Sequence, residues 1–367
     1  MTFASALGRS GSGPAVERGR PVRVMVVDDS LIVRAAFSRL IEQEPDLELA
    51  AAVSSAEDAL RLLSNEQVDV ILLDLEMPGI GGLGALPQMI ERARDAKILV
   101  VSSFTADGAE ATVEALALGA ADTLQKPNGG FDQPYREKLL AKVRGLAPRS
   151  PRRSVAAAAP AIAAPVLRPA SRRPAEIVAI GASTGGIHAL GQFFGALPSR
   201  LGIPILVTQH LPASFIDAFS HQLYEVSGLP TLKAQEGQPL LPDHILVAPG
   251  DAHIRVIRKA GECVIALDRT PVASGCLPSV DPMFASLAKS HGTAALGVIL
   301  TGMGRDGTLG AHDIAAAGGT LLVQNEASSA VWGMPGSVAK AGLASAMLHP
   351  FDLATRVGQA AALPRGR

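Results

Sequence analysis

The stretch that decides the fold is Ile177–Leu190, "IVAIGASTGGIHAL". Its opening residues form a short, β-branched apolar run bounded by glycine, which reads as a buried strand. Gly181, Gly185 and Gly186 then permit a tight turn, and helix-period residues follow. Strand, glycine turn and helix make half of a βαβ unit, so the segment belongs to a parallel sheet with helices on its faces. The turn also carries G-x-S-x-G, as Gly181-Ala182-Ser183-Thr184-Gly185. In hydrolases such an elbow lifts the serine oxygen out at the sheet edge. Glycine turns of this kind also bind phosphates, and many bind nothing. The spacing misses G-x-G-x-x-G, which speaks against a dinucleotide.

A serine nucleophile needs a base, and the base needs an orienting acid. Of the eight histidines, His210 is placed best. It ends the apolar run of "IPILVTQHLP", on the sheet edge expected for Ser183. His253, in "VAPGDAHIRV" beside a turn, competes with it. His188, His221, His244, His291, His312 and His349 read mostly as surface residues. The acid is Asp306, in the glycine-rich loop that follows the strand expected at Leu296–Leu300 in "AALGVILTGMGRDGTLG". Backbone N–H groups of that loop can face an oxyanion. The competing reading is a nest for a phosphate, which a carboxylate would repel. The order Ser…His…Asp is not the Ser…Asp…His order of the α/β-hydrolases, so the elbow does not imply that fold.

Outward from this core, the chain divides at "GLAPRSPRRSVAAAAPAIAAPVLRPASRRPA", Gly145–Ala175. Proline breaks helices and sheet ladders, and alanine offers too little apolar area for a core, so a linker is expected there. Its six arginines and no acids contrast with residues 22–144, which hold 12 basic and 20 acidic residues. Residues 1–21 read as a disordered tail, and two α/β domains are expected at 22–144 and 176–361. A length of 367 residues suits two cores. The formal net charge of −1 gives no footprint of a nucleic-acid or anionic-membrane binder. No apolar run reaches membrane-spanning length. The two cysteines, Cys263 and Cys276, show neither a metal-ligand pattern nor a disulfide framework. A cytoplasmic protein is the expectation.

In the first domain three β runs end in polar residues. "VRVMVVDDS" ends in Asp28 and Asp29, "VDVILLDLEMPG" holds Asp74, and "KILVVSSFT" ends its run in Ser102. A weaker run, "AADTLQKP", carries Lys126. Strand C-termini of a parallel sheet share one edge. Three carboxylates, a hydroxyl and an ammonium therefore converge, and clustered carboxylates call for a hard cation such as Mg²⁺. Such a cluster suits a phosphoryl group on Asp74, with Lys126 pairing its oxygens.

On these residues, 22–144 resembles a response-regulator receiver domain, a flavodoxin-like fold with a five-stranded parallel sheet. The resemblance implies that Asp74 takes phosphate from a histidine kinase. It also implies that Asp29, Asp74 and the Glu76 carbonyl hold Mg²⁺, with Asp28 supporting, and that Ser102 and Lys126 form the switch. Thr123 stands where receivers usually carry an aromatic residue.

Residues 176–361 resemble the catalytic domain of the chemotaxis protein-glutamate methylesterase (CheB) family, a Rossmann-like doubly wound fold. The stretches that carry this are "IGASTGG", "QHLP", "APGDAH", "PSVDPMF", "TGMGRDG" and "EASSAVWGMP". Cys276 and Leu277 depart from the basic or aromatic residues of many members. The resemblance implies Ser183 as nucleophile, His210 as base, Asp306 as its orienter and Met303 N–H as oxyanion donor, with Thr184 supporting. It further implies a phosphorylation-activated esterase and glutamine deamidase acting on chemoreceptors, with a CheA-type kinase as phosphodonor. The hydrolase itself would need no cofactor, and neither nucleic acid nor membrane insertion is implied. Two other readings are a binding module that has lost catalysis and a transcriptional regulator. The second lacks a basic helix-turn-helix output.

Overall fold

A computed structural model describes residues 20–103, 105–127, 130–148 and 167–361. The expected tail up to residue 19, and the expected linker between 149 and 166, lie outside the described residues.

The first domain alternates strand and helix: β1 (Val22–Val27), α1 (Leu31–Glu42), β2 (Leu47–Val53), α2 (Ala56–Leu62), β3 (Val70–Asp74), α3 (Gly81–Arg92), β4 (Lys97–Ser102), α4 (Ala106–Leu118), β5 (Asp122–Gln125) and α5 (Gln133–Leu146). The strands pair in parallel in the order β2-β1-β3-β4-β5. The apolar run of β3 is buried at every residue because helices cover both faces. Ser30, Ser55, Thr105 and Asp132 start four of the helices, each accepting a backbone N–H three residues on.

The second domain contains β6 (Ile177–Ala182), α6 (Gly186–Ala196), β7 (Ile205–Gln209), α7 (Ile216–Ser227), β8 (Thr231–Lys233), β9 (Ile245–Val247), β10 (His253–Lys259), β11 (Glu262–Asp268), α8 (Val280–His291), β12 (Ala295–Ile299), α9 (Thr308–Ala316), β13 (Thr320–Gln324), α10 (Met334–Lys340), β14 (Ala346–Leu348) and α11 (Pro350–Ala360). Seven strands form one sheet in the order β14-β13-β12-β6-β7-β9-β8, every pair parallel. Among the strands of the described residues, β10 and β11 pair antiparallel as a hairpin that stands apart from that sheet. Phe193, Phe194, Phe215, Phe219 and Phe284 are among the largest fully buried side chains and fill the layers between sheet and helices.

In each sheet the connections run one way from one strand and the opposite way from its neighbour. That reversal lies between β1 and β3 in the first sheet, and between β6 and β12 in the second. A crevice opens at such a point, at the strands' C-terminal ends. Asp28, Asp29 and Asp74 stand at the first crevice, and Ser183 and the Thr301–Asp306 loop at the second.

The domain borders differ from expectation by a few residues. Helix α5 runs through Gly145 and Leu146, because the Leu146 side chain is buried in the first core. Arg20, expected in the tail, pairs with Asp69 at 2.8 Å. At the far end of the expected linker, Arg168 N–H donates to Ala344 O and Ala175 N–H to Ala360 O, each at 2.8 Å. These bonds fix the segment to the second domain.

Candidate active site

The first crevice gathers the acidic residues as their strand ends require. Carboxylate oxygens of Asp28, Asp29 and Asp74 lie within 4.8 Å of one another. Lys126 Nζ is 2.6 Å from Asp74 Oδ2 and 3.4 Å from Asp28 Oδ2. Burial pushes the Asp74 and Asp28 carboxyls up, and the Lys126 charge pulls them back. Asp28 Oδ2 is buried without a hydrogen-bond partner among the described residues. Three carboxylates with an oxygen to spare fit a hard divalent cation. Glu76 N–H donates to Asp74 Oδ1 at 3.1 Å, which lays the Glu76 backbone against the cluster. Ser102 Oγ is buried and also without a partner, and the Ser102 carbonyl accepts the Lys126 N–H at 2.8 Å. Thr123 is buried one strand over.

In the second crevice the pairing of β6 with β7 sets Ala182 opposite Gln209. The next residue on each strand is Ser183 and His210, and His210 N–H donates to Ala182 O at 3.1 Å. On the other side of β6, the loop after β12 folds back over the serine. Ser183 N–H donates to Thr301 O at 3.0 Å, and Gln324 Oε1 holds Thr301 N–H at 2.7 Å. Gly302 approaches so closely that a β-carbon on it would sit 2.8 Å from Ser183 Cβ. Only glycine lets the backbone come this near. The following N–H, that of Met303, has no acceptor among the described residues.

Asp306 is the most heavily bonded group of the site. Its Oδ2 faces His210 Nε2 at 2.8 Å and accepts Val280 N–H at 2.7 Å, and its Oδ1 accepts Ser279 Oγ–H at 2.6 Å. A carboxylate only accepts, so His210 carries a proton on Nε2, which leaves Nδ1 as the nitrogen that can act as base when the ring is neutral. Burial would raise the Asp306 carboxyl. The bonds from His210, Ser279 and Val280 outweigh it and hold the group well below the usual carboxylate range. Burial likewise lowers the His210 ring, but Asp306 and the Cys276 thiol beside it push it up to about 9.

The sequence left His253 as a second candidate base, and its surroundings exclude it. It is buried in β10, Nδ1 accepts Ser279 N–H at 2.9 Å, and Nε2–H is spent on Thr270 O at 3.0 Å. His253 instead positions Ser279, which positions Asp306. Neither link was read from the sequence, although "PSVD" has the serine-then-acid look of a helix start, and Ser279 caps α8. Cys276 was likewise missed: its Sγ, a His210 ring nitrogen and an Asp306 oxygen lie within 4.8 Å of one another.

The first domain lies over the second crevice. Thr184, next to Ser183, donates its hydroxyl to Asp122 Oδ2 at 2.6 Å. Lys142 pairs with the same oxygen at 2.7 Å. Gly185 N–H donates to Ala121 O, and His188 Nδ1 to Ala117 O at 2.9 Å. Helix α4 packs on α6 and α7, and one apolar cluster joins Val113 and Leu116 to Ile187 and Phe215 across the boundary. The Met303 side chain lies against Gly145 at the end of α5. In this arrangement the Thr184 hydroxyl is bonded to the first domain. Among the described residues, no helix is long and apolar enough to cross a membrane.

A family model for CheB methylesterase matches residues 178–357, and one for the response regulator receiver domain matches residues 24–133. The protein-glutamate methylesterase/protein-glutamine glutaminase 2 of Caulobacter vibrioides is 45% identical over 339 residues, spanning 90% of this chain and 96% of that protein. The protein-glutamate methylesterase/protein-glutamine glutaminase 1 of Rhodospirillum rubrum is 39% identical over 373 residues, spanning 92% and 95%. Among solved structures, the Thermotoga maritima CheB methylesterase catalytic domain is 32% identical with a TM-score of 0.49, covering 50% of this chain and 98% of that one.

Proposed function

The chain belongs to the CheB methylesterase family, and we propose that it is a serine hydrolase that demethylates glutamate methyl esters and deamidates glutamines on chemoreceptors, under the control of phosphorylation at Asp74. The observation that carries this is the His210–Asp306 bond of 2.8 Å, with Ser183 at the neighbouring strand end. Ser183 Oγ attacks the side-chain carbonyl carbon, and its proton passes to His210 Nδ1. Asp306 keeps the other ring nitrogen protonated and the ring oriented. The tetrahedral oxygen forms beside Met303 N–H, a position where one such donor contributes about 3–4 kcal/mol. His210 returns the proton as methanol, or ammonia from glutamine, departs. Water then opens the acyl-enzyme, with the same ring taking its proton. This route needs no metal or organic group in the hydrolase domain.

In the receiver, Asp29, Asp74 and the Glu76 carbonyl would hold Mg²⁺, with Asp28 supporting, and the ion would supply positive charge beside the phosphoryl group donated by a CheA-type histidine kinase. Lys126 Nζ, now on Asp74, pairs with the phosphoryl oxygens, and the free Ser102 hydroxyl turns toward them. The closed arrangement over Thr184 and Gly185 is the resting state, and phosphorylation shifts it toward an open one. The protein works in the cytoplasm, against receptor segments that reach it there.

Methanol release from methylated chemoreceptor membranes tests this reading. It should rise when a small-molecule phosphodonor and Mg²⁺ are added. Asp74→Asn should keep the unstimulated rate and lose the rise. A stimulated Asp74→Asn enzyme would remove Asp74 from the switch.

A base held up to about 9 is protonated and idle at neutral pH. In chelator-treated buffer, kcat/KM of the unphosphorylated enzyme should therefore climb close to tenfold per pH unit and level near pH 9. Asp306→Asn should move the plateau down, since the lost carboxylate is one of the two groups that raise the ring. A wild-type plateau at the ordinary histidine value would show that the ion pair does not form in the working enzyme.

A further inference from the structure

Cys276 lies outside the esterase mechanism, yet its thiol stands against the histidine that drives it. A His210 ring nitrogen, Cys276 Sγ and an Asp306 carboxylate oxygen fall within 4.8 Å of one another. The three come from different parts of the chain: the end of β7, the segment before α8 and the loop after β12. His210 is buried except for 17% of its side chain, Cys276 is half-buried, and Asp306 is closed off from solvent. Imidazole, thiolate and carboxylate together are a donor set for a borderline-soft divalent cation, not for Mg²⁺ or Ca²⁺.

We propose that His210, Cys276 and Asp306 form a binding site for a thiophilic divalent cation, with zinc as the natural example. Zinc sits at about 2.0–2.3 Å from such ligands, which places tetrahedral donor atoms roughly 3.3–3.6 Å apart. The observed spread closes to that with movements of about an ångström, and water takes the fourth position. The outer support of a metal site is already present. Ser279 Oγ–H and Val280 N–H hold the carboxylate, and His253 holds Ser279. Such outer partners typically change metal affinity by about 10–100-fold. Resting on the proposed esterase reading, one consequence follows. The metal replaces the Nε2–H···Oδ2 bond and withdraws the His210 ring from proton transfer, so occupancy and turnover exclude each other.

Cobalt(II) is the probe, added to the full-length chain with Mg²⁺ in excess to fill the receiver's oxygen site. Wild type and Cys263→Ser should each bind one cobalt with a thiolate-to-metal charge-transfer band. Cys276→Ser and His210→Gln, checked for native circular dichroism, should lose that band. Zinc should displace cobalt from wild type and need at least about tenfold more metal in Ser279→Ala. A band that survives Cys276→Ser, or one lost in Cys263→Ser, would overturn the site, as would no band in wild type. Zinc should also stop methanol release in proportion to occupancy. A cobalt band without inhibition would keep the site and refute the inhibitory consequence. A cobalt band in a protein that releases no methanol under any condition would keep the site and refute the esterase reading.

Discussion

Ser183→Ala should lower stimulated methanol release by about a millionfold, to the level left by binding and the oxyanion donors alone. The substitution removes the oxygen that attacks the ester, and the proposed route gives no other group that role. The serine follows the last residue of β6 and lies against the Gly302 backbone. His210→Ala should cost nearly as much, and the double variant little more than either, because nucleophile and base act as one unit. Asp306→Asn is expected at about ten-thousandfold: the amide would donate to Nε2 and force the proton onto Nδ1, the nitrogen that must accept from serine. Ser279→Ala should lose far less, since Val280 N–H and His210 still hold the carboxylate. Rates of the purified variants on methylated receptor membranes, with native folding checked by circular dichroism, decide this. Retention of even a hundredth of the activity by Ser183→Ala would mean that another group attacks the ester.

Most of this geometry was legible in the sequence because both domains put chemistry at the ends of parallel strands. An apolar run followed by Asp28-Asp29, Asp74, Ser183 or His210 tells which edge a residue occupies, and residues on one edge of one crevice meet. What stayed hidden depends on contacts that no strand pattern encodes. Ser279 reaches Asp306 from the cap of a helix 27 residues earlier in the chain, and His253 reaches Ser279 from a hairpin outside the main sheet. Cys276 looked isolated because its partners are distant in sequence and adjacent only through the α8 packing. The domain borders shifted for a similar reason. Leu146 and Arg168 read as linker by composition, and each is fixed by a tertiary partner. The use of Thr184 by the receiver was invisible altogether, since it needs two folded domains placed against each other.

That contact carries the second large effect. Asp122→Ala should raise methanol release without phosphodonor by about tenfold and leave the phosphorylated rate unchanged. Asp122 Oδ2 is the shared acceptor of Thr184 Oγ1 and Lys142 Nζ, at 2.6 and 2.7 Å. A hydrogen bond to a charged group contributes about 1.5–3 kcal/mol when protected, and the low end applies here because Thr184 lies at a boundary that water reaches on opening. Coupling energies of 1–3 kcal/mol correspond to shifts of about 5–150-fold between two states. Only the closed state makes this bond, so its loss weakens closure without touching the open enzyme's chemistry. The apolar contact of α4 with α6 and α7 remains and keeps the resting enzyme from opening fully. The bond also connects the second domain's crevice to the strand next to the phosphorylation site. Asp122 begins β5, Thr123 follows it and pairs with Val100 of β4, and Lys126, beside Asp74, comes directly after the strand's last residue, Gln125. On the proposed switch, a phosphoryl group that draws Lys126 and Ser102 together would shift β5 and carry the Asp122 carboxylate with it. A variant whose basal and stimulated rates rise together would place Asp122 in the chemistry instead of the closure. A folded variant with an unchanged basal rate would assign the closed state to the apolar contact alone.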